Sequence, residues 1–306
     1  MKVQHLIIAL TALTVVATSC EEKQIMPGDN DNNQAALVVP DPTPDPQGFV
    51  APAGAINVLE AVEVAKKLKF GEVSTKRYLI KGYLTSFNRS ESFKTDFPTY
   101  GNDFFYLSAV APTEELQPMH NFYAYRALGR YGAKFPDLEC LKEGDFVVIS
   151  CYITNYNGVF ESSGGCFVYA TNNEHFNTIF PEIKAPTTKE GELSVTETEA
   201  FAQTLEDGKT STEYKTIRGV VCSIDLSKST IDEKTGAVDF ITFNFTDGNT
   251  YCTAFKTYYK KADEPFTSVD QVAVGDEVVV YSRVQNYGGI AEPCYGYIQE
   301  SNNPNF

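Results

Sequence analysis

The sequence predicts a mainly β protein: two five-stranded β-barrels in tandem, each preceded by a short α-helix, behind a disordered N-terminal tether. Three observations carry this. Residues 71–87 (GEVSTKRYLIKGYLTSF) and 208–224 (GKTSTEYKTIRGVVCSI) align without a gap, matching Gly71/Gly208, Ser74/Ser211, Thr75/Thr212, Ile80/Ile217, Gly82/Gly219 and Ser86/Ser223. A second block also recurs. Gly144-Asp145 opens a Val-rich run that leads to Asn155-Tyr156-Asn157-Gly158, and Gly275-Asp276 opens one that leads to Asn286-Tyr287-Gly288-Gly289. Self-similarity of this kind marks one structural unit used twice. The third observation is the supply of 18 Tyr and 21 Phe with no Trp, rings that suit the half-buried surface of strands.

At 306 residues the chain has room for about two domains of roughly 100–200 residues each. The repeats set the boundaries: a signal segment at 1–19, a tether at 20–54, a first barrel at 55–170, a joining segment at 171–191 and a second barrel at 192–300. The formal charge of −15 is unevenly spread. Residues 55–170 hold 12 Lys and Arg against 13 Asp and Glu, whereas residues 192–298 hold 9 against 17. An acidic surface repels phosphate backbones and anionic lipid, because both need Lys and Arg to displace their counterions.

Lys2 followed by an apolar run at 6–17 is a secretion signal, too short to span a membrane as a mature anchor. Its end, Ala17-Thr18-Ser19-Cys20, resembles a bacterial lipobox. That resemblance implies lipid on Cys20, and several acyl chains hold a protein stably where one would not. Glu21-Glu22-Lys23 resembles the surface-export signal of Bacteroidetes lipoproteins. It implies an outer-membrane lipoprotein at the cell surface rather than on the periplasmic face. Residues 21–54 show no apolar periodicity and carry Pro40, Pro42, Pro44 and Pro46, which favours an extended spacer.

Asn57 followed by Glu60 predicts a capped helix whose apolar face holds Val58, Ala61, Val62, Ala65 and Leu68, with Gly71 as its stop. Ser194, Glu197, Ala202, Leu205 and Gly208 repeat the device. The first copy then predicts strands at 78–86, 104–110, 120–126, 145–154 and 159–169, with a long polar and aromatic loop at 87–103. The second predicts strands at 216–224, 239–246, 250–256, 276–285 and 290–298. Gly82 and Gly219 each sit mid-strand, where a glycine marks a bulge or bend. Asn157-Gly158 is a hairpin turn signal.

Five short strands, a bent first strand and a long first loop resemble an OB-fold. The helix, the Gly-x-x-Ser-Thr opening and the Asn-Tyr-x-Gly ending together resemble the OB-fold-like repeats of Bacteroidetes lipoproteins. OB-folds bind ligands on strands two and three, flanked by the first and last loops. The resemblance therefore implies a face with Phe105, Phe122, Tyr123 and Tyr125 on the strands. Phe93, Phe97 and Tyr100 would lie on the first loop and Tyr156 near the last. Alternate rings in a strand are core by default, so about half of these would face inward. Arg89, Lys94, Arg126 and Arg130 are the cations that could meet phosphates.

Catalysis is not expected. His120 and His175 stand in unrelated contexts, and no catalytic triad, metal-ligand spacing or phosphate loop appears. No cofactor is implied. Cys151 and Cys166 flank the Asn157-Gly158 turn and are a candidate disulfide in a secreted chain. Three functions fit these observations. A non-catalytic module binding glycan or protein leads. A single-stranded nucleic-acid binder is the alternative that the charge disfavours, and a structural component of a surface assembly is the third.

Overall fold

The computed structural model describes residues 43–111 and 121–306; the expected signal segment, Cys20 and the first part of the tether lie outside the described residues. The first copy runs β1 (Ile56–Asn57), α1 (Val58–Lys66), β2 (Tyr78–Phe87), α2 (Glu91–Tyr100), β3 (Asp103–Ser108), β4 (Phe122–Ala127), β5 (Phe146–Cys151), β6 (Ile153–Tyr156), β7 (Val159–Ser162), β8 (Phe167–Thr171) and α3 (Glu174–Ile179). The second runs α4 (Val195–Ala202), β9 (Thr210–Asp225), β10 (Ile241–Thr246), β11 (Tyr251–Thr257), β12 (Glu277–Tyr287) and β13 (Ile290–Ser301).

In the second copy the strands close into a five-stranded barrel in the order β10-β11-β13-β12-β9. The first copy follows the same circuit with its last two strands broken. β2 pairs with β3, β3 with β4, β4 in parallel with β7, β7 with β6, and β5 with β2. β6 continues β5 after a break at Tyr152, and β8 follows β7 across a gap where Gly165 takes a φ of +76°. With β8 and the two-residue β1 this makes an eight-stranded sheet. The single strands expected at 145–154 and 159–169 are therefore each two. The parallel closing pairs correspond: Tyr123 opposite Glu161 in one copy, Phe255 opposite Cys294 in the other.

Both capping boxes form. Asn57 Oδ1 accepts from the Leu59 and Glu60 amides, and Glu60 accepts from Asn57 N at 2.8 Å. Ser194 and Glu197 do the same, which satisfies amides that would otherwise be orphaned. The helices end at Lys66 and Ala202, earlier than expected. Gly71 and Gly208, at φ +72° and +74°, instead turn the chain toward the first strand.

Gly82 and Gly219 are not bulges. A methyl on Gly82 would lie 2.5 Å from Val58 Cγ2, and one on Gly219 would lie 2.5 Å from Phe245 Cδ2 and 2.9 Å from Val195 Cγ2. Each glycine lets the capped helix rest on the strand. The register slips lie further on, between Leu84 and Ser86 and at Cys222 between Val221 and Ser223.

Each barrel encloses its own core. Phe105, Phe122, Leu107 and Ile80 fill the first, and Phe243, Phe245, Phe266 and Ile217 fill the second. Each such side chain contributes about 1.5–3 kcal/mol on burial. Two expected connectors are structured. The joining segment carries α3, whose Phe176 is fully buried in the first core. Residues 43–54, the end of the expected tether, lie on the first barrel. Phe49 packs edge-on to Phe146 at 5.4 Å, and Asp45 pairs with Lys81 at 3.1 Å. The ring covers an outward-facing Phe that would otherwise be wet, and the carboxylate neutralises a largely buried ammonium.

The two barrels meet along a seam. Arg77 donates from Nε to Glu199 Oε1 at 2.8 Å and from Nη1 to the Ser150 and Gly165 carbonyls, at 3.2 and 3.0 Å. Its guanidinium lies over the Tyr152 ring at 4.8 Å, and Tyr152 Oη donates to Glu199 at 3.3 Å. Beside this clamp Tyr251 packs edge-on to Phe167 at 5.5 Å, and Asn244 Nδ2 donates to Gly132 O at 2.9 Å.

Candidate ligand-binding face

Side chains alternate between the two faces of a strand. On β3, Phe105 and Leu107 point into the barrel, so Phe104 and Tyr106 point out; on β4, Phe122 and Ala124 point in, so Tyr123 and Tyr125 point out. The register places Tyr106 opposite Tyr123. The two rings stack with centroids 4.7 Å apart, Phe104 meets Tyr125 edge-on at 5.3 Å, and Tyr123 and Tyr125 lie 6.1 Å apart. Phe93 of α2 closes one end, 5.2 Å from Phe104. Four half-buried rings thus form a ledge on the outer face of strands two and three.

Asn88 Nδ2 donates to Tyr123 Oη at 3.0 Å. Burial pushes the Tyr123 phenol up to about 12, so it stays a neutral hydroxyl able to donate a hydrogen bond. Glu161 lies opposite Tyr123 on β7, and burial raises its carboxyl above the usual range. A groove of about 500 Å³ runs off the ledge past Tyr106 and Tyr123 to Val159 and Lys66. Rings with hydroxyl and carboxyl groups beside them can stack on a flat, hydroxylated ligand and orient it.

Tyr123 and Tyr125, which the resemblance implied, are half-buried on the outward face of β4. Phe105 and Phe122 are not available to a ligand: they are 0 % and 1 % exposed and belong to the first core. Phe105 adjoins Phe104, and Phe122 adjoins Tyr123, so neighbours chosen together must point opposite ways. Phe104 and Tyr106 were missed for the same reason. The signal was Leu107, whose burial fixes Phe105 inward and turns Phe104 and Tyr106 out. Tyr156 is 58 % exposed on the β6–β7 hairpin but meets the Phe70 ring at a tilt, 5.5 Å between centroids, off the ledge. Tyr100, 59 % exposed, ends α2 and faces the seam between the barrels. The expected loop at 87–103 is largely this helix, capped by Ser90, and Phe97 is buried in the core.

Arg89 and Arg130 are engaged internally. Arg89 forks onto Asp103, with Nε to Oδ1 at 3.0 Å, and lies over the Phe87 ring at 3.6 Å. Arg130 is 3 % exposed and donates to Tyr169 O at 3.1 Å and Asn177 Oδ1 at 2.9 Å. Arg126 remains at the ledge, 5.2 Å over Tyr125. The ledge is therefore aromatic without being a basic groove.

The disulfide expectation is corrected. Cys151 and Cys166 do meet, but as buried free thiols in side-chain contact rather than a bonded pair. The chain brings them together on either side of the β6–β7 hairpin, as the spacing implied. Burial pushes the Cys151 thiol up, while at Cys166 burial is outweighed by hydrogen bonds with Cys151 and Ser162 and by the Arg77 charge, which hold that thiol down.

No family model matches the chain, and no curated protein matches it. Among solved structures it is similar to the Ifi202 HINa domain in complex with 20-bp double-stranded DNA, at 13 % identity over 75 % of this chain and 97 % of that one, with a TM-score of 0.22. At that score the likeness carries no argument about what this chain binds.

Proposed function

We propose that the chain is a lipoprotein anchored through Cys20 in the outer membrane and displayed at the cell surface, where its barrels act as a non-catalytic binding module for neutral glycans. The observation that carries the glycan reading is the ledge of Phe104, Tyr106, Tyr123 and Tyr125, four outward rings in mutual contact with hydrogen-bonding groups at their edge. Sugar rings stack on such surfaces through their apolar faces, and OB-type barrels accept oligosaccharides on these strands. The electrostatics support a neutral ligand. Arg89 and Arg130 are taken up internally, and the net charge of −15 opposes a phosphate backbone. The anchor rests on the lipobox-like end of the signal segment. Intact-mass analysis of the membrane-extracted protein tests it: acyl mass on a chain beginning at Cys20, absent from Cys20→Ser, is expected. A neutral-glycan array on the same protein tests the ligand class, and signal weakened by Tyr123→Ala is expected.

A further inference from the structure

We infer that the seam between the barrels is a second binding site, a trough built jointly by both copies and suited to a neutral oligosaccharide chain. Two cavities of about 390 and 460 Å³ share Asp225, Thr242 and Thr253 as walls and so adjoin as the two parts of this trough. The second barrel supplies the rings. Phe255 and Tyr295 meet edge-on at 5.8 Å, and Tyr295 is 56 % exposed. The first barrel supplies Tyr100 and Lys134 at the other end. Lys134 Nζ reaches Asp225 Oδ2 across the seam at 3.8 Å, so the 460 Å³ part of the trough needs both barrels, whereas the 390 Å³ part that holds the rings is lined by the second barrel.

The charge of this trough selects its ligand. Its charged walls are Asp225 and Glu292 against Lys134 and Lys228, and Lys256 Nζ lies 5.6 Å from the Phe255 ring and 5.9 Å from the Tyr295 ring. Lys228 also lies 5.7 Å from the Phe255 ring. Two carboxylates against three ammoniums, with Lys134 and Asp225 paired across the seam, leave little of the cation excess that a polyanion needs to release its counterions. They do offer acceptors and donors in alternation to a ligand that carries many hydroxyls and no charge. Rings at one end and a tyrosine at the other give the apolar faces of successive sugars somewhere to lie.

The trough is separate from the β3–β4 ledge, and this inference rests on the glycan reading of that ledge for its ligand class. Calorimetric titration of the full chain with neutral hexasaccharides (gluco-, manno-, xylo- and galacto-configured) tests it. The wild type is expected to bind at two sites per chain. Phe255→Ala with Tyr295→Ala is expected to weaken one site about tenfold or more, leaving the other intact. Tyr123→Ala is expected to do the converse. Asp225→Asn with Glu292→Gln checks the same wall with little change of shape and is expected to weaken the trough site too. One site, lost with Tyr123→Ala and untouched by the trough variants, overturns this inference while sparing the ledge. No binding of any hexasaccharide overturns both. Binding of an oligo(dT) probe that the trough variants abolish overturns the neutral-ligand assignment.

Discussion

Replacing Glu199 by Ala removes the acceptor at the centre of the seam. Arg77 then keeps its bonds to the Ser150 and Gly165 carbonyls, at 3.2 and 3.0 Å, but loses its carboxylate contact, made by two of its nitrogens at 2.8 and 2.7 Å. The two side chains are 13 % and 9 % exposed. Stranding one member of a buried ion pair costs about 3–5 kcal/mol. The surviving carbonyl bonds and the residual exposure of Arg77 put this case at the low end, about 3 kcal/mol. Tyr152 Oη also loses its acceptor, which adds about 1 kcal/mol or more if water does not replace it. The assay is urea unfolding with tryptophan-free tyrosine fluorescence and far-UV circular dichroism followed together. The wild type should unfold in one transition because the seam couples the barrels. Glu199→Ala should lose about 3–4 kcal/mol from that coupling and split the curve into two transitions. In a double-mutant cycle with Arg77→Ala, the combined loss should fall short of the sum by about 2 kcal/mol. A single, unshifted transition in Glu199→Ala would refute the view that this pair holds the barrels together.

Further outcomes follow from the same contacts. Gly82→Ala and Gly219→Ala should each cost about 1–3 kcal/mol in chemical unfolding, because the new methyl displaces Val58 or Val195 and Phe245. Restoring space with Val58→Ala in the Gly82→Ala background should return part of it. Ser194→Ala should cost about 1 kcal/mol through loss of the cap on α4, read by the same unfolding curves. Acid should weaken the second barrel through Glu192, which Arg218 grips through Nε and Nη2, at 2.6 and 2.7 Å, and holds down at about 2. The depressed carboxyl stabilises the fold above its unfolded value of about 4.3 and loses that contribution as pH falls from about 5 to about 2. The full shift corresponds to about 3 kcal/mol, reduced to about 2 because water reaches the rim of the cluster at Glu277 and Glu300. Glu192→Gln should flatten that part of the stability–pH profile; an unchanged profile contradicts the assignment.

The repeats made the barrels legible. A capping box, a Gly-x-x-Ser-Thr opening and an Asn-Tyr-x-Gly ending recur because both copies solve the same local problems: starting a helix, resting it on a strand and turning a hairpin. What failed to show was set by tertiary contact. Nothing local distinguishes a glycine that bulges from one that makes room for Val58. The end of the tether reads as a polar, Pro-rich spacer until Phe49 finds Phe146 across the sheet. On the ledge, the OB-fold resemblance implied Tyr123 and Tyr125 but also the inward Phe122, and Phe104-Phe105 is ambiguous until Leu107 sets the phase. Arg130 looks like a free cation in sequence, and only the fold supplies the carbonyls that bury it.

The central claim is that the ledge on β3 and β4 binds a neutral glycan by stacking rather than a nucleic acid by charge. Titration of the full chain with neutral hexasaccharides and with oligo(dT), each at low and high salt, tests it most directly. The account predicts saturable hexasaccharide binding that salt leaves unchanged, with a ledge site that Tyr123→Ala with Tyr125→Ala weakens by about tenfold or more. Oligo(dT) binding that falls steeply with salt and disappears in the same variant, with no hexasaccharide binding, would contradict it.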